Sequence, residues 1–315
     1  MPTREPGFLE LNHALGLYMP IPYHPTQRDG RAVAEENEIR VLRAVRHFGH
    51  LRRQEIAMAA WPKSSAKSAY IMAWRTVTRL LKAGLLLERQ NSLGGRSLVL
   101  GARGVARLRD LDIQSHEGYE LAFDGPQFFH RTLGTAYLLE KARTGNEVFG
   151  EYAILRGWSP LSREYTSERF RKIPDGLVVY SGEAMGLRKD MRVADWVEVE
   201  SAFKQYDEIK KALAILTKNS TLTQGGDVTL NQLVFVFDSR QRHDRQILRY
   251  VKKFLKENPG LSEEIVMRNI ILARCFVDVP FTWHGVQEVT AWDVVSSGAV
   301  AVEDLDSVPD DEIAG

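Results

Sequence analysis

The sequence predicts a two-domain protein of the α/β class, and three observations predict it. The first is size. At 315 residues, with 44% hydrophobic and 26% charged, the chain has room for two cores, since domains usually run to about 100–200 residues. The second is charge. From Arg40 to Asp110, 15 lysines and arginines stand against three acids, Glu55, Glu88 and Asp110. That block carries +12, and because the whole chain carries +1, the remainder carries −11. The third is the order of elements: three helices and a strand pair, then helices alternating with strands. The composition excludes a disordered chain, a collagen-like chain and a disulfide scaffold. The single cysteine, Cys275, excludes an intramolecular disulfide and a zinc–cysteine cluster and points to a reducing compartment. No apolar run reaches the roughly 18–20 residues of a membrane helix, and Met1-Pro2-Thr3-Arg4-Glu5-Pro6 lacks the apolar stretch of a signal peptide. The expectation is a soluble, cytoplasmic protein with no membrane partner.

Residues 1–33, with Pro20, Pro22 and Pro25, read as an irregular arm. The first domain spans 34–112. Ile39, Leu42, Val45 and Phe48 recur at helical spacing over Ala34–His47, and Gly49 stops that helix. A second helix, Arg53–Trp61, is closed by Pro62. Lys63-Ser64-Ser65 then offers an N-cap to a longer helix that ends at Gly84. Its apolar residues Ile71, Trp74, Val77 and Leu81 are assigned to the core on their spacing. Strands Leu85–Glu88 and Ser97–Leu100 follow, joined by the Gly-rich turn Arg89–Arg96. Three helices and an Arg-bearing hairpin are the order of a winged helix-turn-helix.

A basic block of this density suits a polyanion, because cations gain counterion-release entropy on phosphate. The plainer reading of any charge run is a solvated helical surface. Here the run coincides with a fold that meets the major groove through the first turns of its recognition helix. Those turns carry Lys63, Ser64, Lys67, Ser68 and Tyr70, with Arg75 and Arg79 further along, and Arg89 and Arg96 flank the wing. Double-stranded DNA is the expected partner of these residues. A protein contact is the alternative.

The second domain is expected over 113–285, with an acidic tail over 286–315, since nine acids and no Lys or Arg follow Arg274. After a linker over Gln114–Asp124 comes a helix from Pro126 to Arg143. Glu147–Ala153 and Leu177–Tyr180 follow, then Val193–Glu200, a helix from about Ser201 to Lys218, and apolar runs Leu233–Phe237 and Ile270–Val277 flanking a helix over Asp244–Glu257. The pattern suggests a central mixed sheet. Cys275 lies inside an apolar run and is assigned to the core.

One constellation in this half carries chemistry. Period-2 geometry places Trp196, Glu198 and Glu200 on one face of a strand and Val197 and Val199 on the other. Asp175, at the start of the preceding strand, comes close to Glu198 if the two strands pair. Convergent carboxylates suit Mg²⁺ or Mn²⁺, which take oxygen ligands and activate water against phosphate. A lysine nearby stabilises developing charge.

Pro174-Asp175, a strand, a turn and Glu198-Val199-Glu200 resemble the metal-binding hairpin of the PD-(D/E)XK nuclease superfamily. The wider order is a winged helix, His130 on the leading helix, Glu151, Pro174-Asp175, and Glu198-Val199-Glu200 before a helix with Lys and Tyr. It is similar to the replication-relaxation family of plasmid and mobile-element proteins, over roughly Ala34–Phe237. The resemblance implies a restriction-endonuclease-like mixed α/β domain behind the winged helix. It also implies a role in replication, mobilisation or DNA relaxation, with replication or mobilisation proteins as partners. On this mapping Asp175 and Glu198 are metal ligands and Glu151 the upstream acid, with Glu140 in reserve. Glu200 stands where the pattern has its lysine, and Lys204, on the first turn of the next helix, is the candidate replacement. Without that lysine the domain is catalytically silent, and a winged-helix transcription regulator whose second domain serves homodimerisation or partner binding is the alternative. A purely structural reading also stands. Asp175 then belongs to a Pro-Asp-Gly turn, and Glu198 and Glu200 to a solvated strand end or the first turn of a helix. His130 is then a satisfied helix histidine.

Overall fold

The computed structural model describes residues 29–90, 96–117, 126–188, 190–202, 204–218, 221–241, 243–278 and 281–298. The chain is a mixed α/β protein with eleven α-helices among the described residues. It divides into two compact units. One runs to Phe128 and includes Leu138–Arg156; the other comprises Phe129–Tyr137 and the chain from Gly157 onward.

In the N-terminal unit, helix α1 spans Gly30–Phe48. It starts four residues before Ala34 because Asp29 caps it, its carboxylate accepting the Arg31 N–H at 3.0 Å. Gly49, at φ +81°, ends it. Helix α2 spans Arg53–Ala60, and its first turn is tied by Glu55, which accepts the Arg52 N–H at 2.7 Å. Helix α3 spans Ala66–Lys82 and is capped by Ser65, which accepts the Ser68 N–H. Strands β1 (Leu86–Gln90) and β2 (Arg96–Leu100) pair antiparallel from Leu86↔Leu100 to Gln90↔Arg96, and Leu51 bridges to Leu98. The turn over 91–95 lies outside the described residues, as do most of the arm and residues 118–125 of the linker. Helix α4 (Ala102–Arg109) follows. Helix α5 (Pro126–Arg143) serves both units, and β3 (Glu147–Gly150) and α6 (Glu151–Leu155) return to the first. Only Glu147–Gly150 of the stretch through Ala153 is strand.

The buried side of α3 differs from the expected one. Ala69, Ala73, Thr76, Val77 and Leu80 are buried, whereas Ile71 is 41% exposed and Trp74 49%. At about 100° per residue, Ala69, Ala73, Val77 and Leu80 form one stripe; Tyr70 and Trp74 fall roughly a quarter-turn from it, and Ile71 nearly a half-turn. Assignment by side-chain size favours the large residues; phase favours the alanines, which let α3 approach its neighbours closely.

In the C-terminal unit, helix α7 (Arg163–Phe170) precedes strands β4 (Gly176–Ser181) and β5 (Arg192–Glu200). Helix α8 (Tyr206–Leu213) leads to β6 (Val228–Asp238). Helices α9 (His243–Glu257) and α10 (Glu263–Arg268) lead to β7 (Ile270–Asp278), and β8 (Thr282–Thr290) and α11 (Ala291–Ser296) follow. These strands lie in the order β4-β5-β6-β7-β8. β4/β5 and β7/β8 are antiparallel; β5/β6 and β6/β7 are parallel. The inner strands are buried on both faces, so Val193–Val199 and Leu233–Phe237 read as near-continuous apolar runs. Cys275 is fully buried on β7.

Two expected boundaries move. The helix after β5 begins at Tyr206, not Ser201, with Gln205 extended at its N-cap, so Lys204 sits in the connector. β8 and α11 occupy 282–296, where the acidic tail was expected from 286. β8 is an edge strand with a half-exposed pattern, and its weak apolar signal is masked by the acids around it.

Candidate functional site

The carboxylates flagged by the sequence meet at the C-terminal end of β5, in the C-terminal unit. Pairing of β4 with β5 sets Gly176 opposite Val197, which brings Asp175 alongside the end of β5. There its Oδ2 accepts the Val199 N–H at 2.9 Å, extending the ladder by one side-chain bond. Its Oδ1 lies 3.0 Å from His130 Nε2. His130 reaches it because α5 runs close to the sheet. Gly134, one turn on, has no side chain where a Cβ would stand 2.9 Å from Val199 Cγ2. The other ring nitrogen of His130 lies 3.2 Å from Ser201 Oγ.

Glu198 and Glu200 are 1% and 2% exposed; they are neither a solvated strand end nor part of a helix. Glu198 accepts from Trp196 Nε1 at 2.7 Å and from Lys172 Nζ at 2.9 Å. Phe170 meets the Trp196 ring edge-on at 5.5 Å, so the Glu198 side is roofed by aromatics. Glu200 accepts from Lys204 Nζ at 3.0 Å, and the same ammonium donates to Val199 O. Gln246 on α9 donates to the Lys204 carbonyl at 3.0 Å.

These pairings set the charges. Burial works to raise Asp175, but His130, Lys204 and the Val199 N–H outweigh it and hold the carboxyl below its ordinary range. Burial and the charge of Asp175 push Glu198 up, against Lys172 and Lys204. Glu200 rises to about 8, through burial first, opposed by Lys204 and reinforced by Glu198. Burial works to lower Lys172, but Glu198, with Asp175 and Glu200 beyond it, outweighs burial and holds the ammonium above its ordinary value.

Sequence reasoning missed Lys172, which stands three residues before Asp175 and takes the position beside Glu198 sought for Lys204. It also missed the opposite side of β5. There Asp195, 2% exposed, accepts from Tyr180 Oη at 2.5 Å and Asn231 Nδ2 at 2.7 Å, while Tyr137 donates to Glu288 at 2.7 Å. Asp195 stands out between Ala194 and Trp196 in the apolar first half of β5, the one sequence signal available. Glu151, the proposed upstream acid, opens α6 in the N-terminal unit and not in the unit that holds the cluster. Glu140 pairs with Arg143 at 3.1 Å.

The residues as paired do not fit a divalent cation. Both oxygens of Asp175 and both of Glu198 already accept hydrogen bonds, two of them from His130 and Lys172. Strand alternation points Glu198 to the opposite side of β5 from Val199, whose Cγ2 lies beside Gly134 on the helix that carries His130. Among the described residues no group of three or more His, Cys, Asp or Glu is placed to hold a metal ion.

The second candidate surface belongs to the N-terminal unit. Lys63, Lys67, Ser68 and Arg75 are exposed and Ser64 half-buried. Ser68 is engaged with Ser65, whose hydroxyl donates to it at 3.0 Å. Arg79 is tied to Glu38 of α1 at 2.7 Å and donates to Ala34 O, which draws it toward α1. Arg96 pairs with Glu88 at 3.2 Å, and Arg89 is exposed on β1. No helix among the described residues is long and apolar enough to cross a membrane. No protein family, curated protein or solved structure matches the chain.

Proposed function

We propose that the chain is a DNA-binding protein that acts in the replication, mobilisation or relaxation of a plasmid or integrative element. Its N-terminal unit serves as a winged helix and its restriction-endonuclease-like C-terminal unit as a catalytically silent partner module. The observation that carries this reading is the outward face of α3. Lys67 and Arg75 stand there in solvent with no ion-pair partner among the described residues, on a helix that follows a serine-capped turn and precedes an Arg-flanked hairpin. Unpaired cations on one helix face suit a run of phosphates, which repay them through counterion release. The silent reading of the C-terminal unit rests on its acids being satisfied from within the chain.

Binding of a fluorescent duplex should weaken steeply with salt, with a log–log slope near 0.9 per neutralised phosphate. Replacing Lys67 and Arg75 by alanine together should lower that slope by about 2. Salt-insensitive binding, or none to duplex or single strand at low ionic strength, would sink the DNA reading.

One observation favours a second reading, a Mg²⁺- or Mn²⁺-dependent endonuclease. Setting Glu198 and Glu200 in the interior beside Lys172 and Lys204 is costly in desolvation, and such clusters gather at active sites. Supercoiled plasmid incubated with either ion separates the two readings. Nicking that disappears in Asp175→Asn and Glu198→Gln supports the nuclease; intact plasmid, with no heat of ion binding, supports the silent module.

A further inference from the structure

The outward face of α3 carries more than cations. Tyr70 is 48% exposed, Ile71 41% and Trp74 49%, and all three lie between Lys67 and Arg75 along the helix. Tyr70 and Trp74 are four residues apart, so their rings rise about 6 Å from one another along one side. Beside Tyr70 opens a cleft of about 200 Å³, lined by Arg52, Arg53, Gln54, Tyr70, Glu88, Arg96 and Leu98. Arg52 is neutralised by Glu55 at 2.6 Å. Arg53 and Arg96 both converge on the single carboxylate of Glu88, at 3.5 and 3.2 Å. Two guanidiniums on one carboxylate leave the mouth of the cleft with an excess positive charge.

Reading base edges in a closed duplex calls for bidentate polar side chains such as Asn, Gln or Arg. Between Lys67 and Arg75 this face presents no Asn, Gln or Arg: Ser68 is engaged with Ser65, and the exposed side chains beyond it are Tyr70, Ile71 and Trp74. Exposed rings flanked by cations are what unpaired nucleic acid needs: a π-face for each base, and charge for the phosphates between them. We propose that this face binds single-stranded DNA, with bases stacking on Tyr70 and Trp74. Lys67, Arg75 and the Arg53–Arg96 pair hold the backbone. The proposal rests on the DNA-binding reading above and deepens it, because it makes opened DNA, not closed duplex, the favoured substrate.

The test is fluorescence anisotropy with the full chain and three probes: an oligothymidylate of about 20 nucleotides, a duplex of the same length, and a strand of that length carrying a run of abasic sites. The oligothymidylate should bind more tightly than the duplex, and the abasic strand about tenfold more weakly than the oligothymidylate, because it keeps the phosphates and removes the stacking partners. Trp74→Ala should weaken the oligothymidylate by about tenfold and the duplex by less than about threefold. The abasic comparison uses the unaltered protein and stands even if Trp74→Ala misfolds. Equal affinity for the abasic and thymidine strands overturns the proposal. So does a wild-type dimer that Trp74→Ala turns into monomer without loss of strand binding, since the rings then cover a second copy of the chain. Duplex binding with no binding of single strands overturns this proposal and leaves the DNA-binding reading intact; no binding of any probe removes both.

Discussion

In the N-terminal unit Lys67 and Arg75 of α3 and Arg89 of β1 stand in solvent, and the buried acid Glu55 is held by Arg52 in the first turn of its own helix. In the C-terminal unit Asp195, Glu198, Glu200 and Asp238 are all at most 2% exposed, each with partners drawn from the same unit. A charge left in water is open to an outside partner. A charge taken into the interior must find its partner in the chain or titrate away. The two units therefore hold their charges differently: one leaves them in water, and the other pairs them within itself.

The largest expected effect tests that the interior charges are committed to each other. Glu198→Ala leaves the Lys172 ammonium buried without its acid, and should lower the unfolding free energy in urea by about 3–5 kcal/mol. The double change Glu198→Leu with Lys172→Met should recover most of it. A loss under about 1 kcal/mol would mean that the pair is solvated, and the contrast between the units would fail.

The next effect is a difference in sign with pH. Burial pushes His47, at the end of α1, down to about 4 from 6.5, aided by Arg46 and opposed by its 2.7 Å contact with the Val148 carbonyl. As pH falls from 6.5 toward 4, the unfolded chain takes up this proton first, and the N-terminal unit loses up to about 3 kcal/mol. Glu200 is displaced the other way, from 4.5 to about 8. As pH rises between those values the unfolded chain gives up its proton first, so the C-terminal unit loses stability toward alkaline pH. Amide exchange followed for each unit against pH should show opposite slopes, flattened by His47→Gln in one and Glu200→Gln in the other. Parallel slopes would remove the distinction.

The smallest effect belongs to the surface. Lys67→Ala and Arg75→Ala should each leave thermal stability within about 0.5 kcal/mol, although on the proposed reading the pair should together lower DNA affinity. A larger loss by calorimetry would show that these cations support the fold.

Much of this was legible in the sequence because the signal is local. The Ser65 cap, the stop at Gly49, the alternation of β5 and the burial of Cys275 each need only a few neighbouring residues. The face of α3 was misread because size and phase disagree there: Trp74 is large and outside, while Ala73 is small and inside. The surroundings of the carboxylates were unreadable for another reason. Whether Glu198 is solvated depends on Lys172 and the Phe170–Trp196 rings closing over its face of β5. That His130 meets Asp175 depends on a glycine at 134 that lets a helix approach, and Lys172 joins Glu198 from 26 residues away. Strand β8 escaped notice because an edge strand with polar residues on both faces has no pattern to reveal it.

Asp175 gives a backbone amide a carboxylate as its ladder partner. Most amides in a sheet centre exchange with solvent only when the strand pair opens. The Val199 N–H instead exchanges when one side chain lets go. Its exchange rate is a gauge of Asp175 alone, readable by NMR without any activity assay. A cation or a phosphate drawing on that carboxylate would quicken exchange at Val199 while its neighbours on β5 kept their protection.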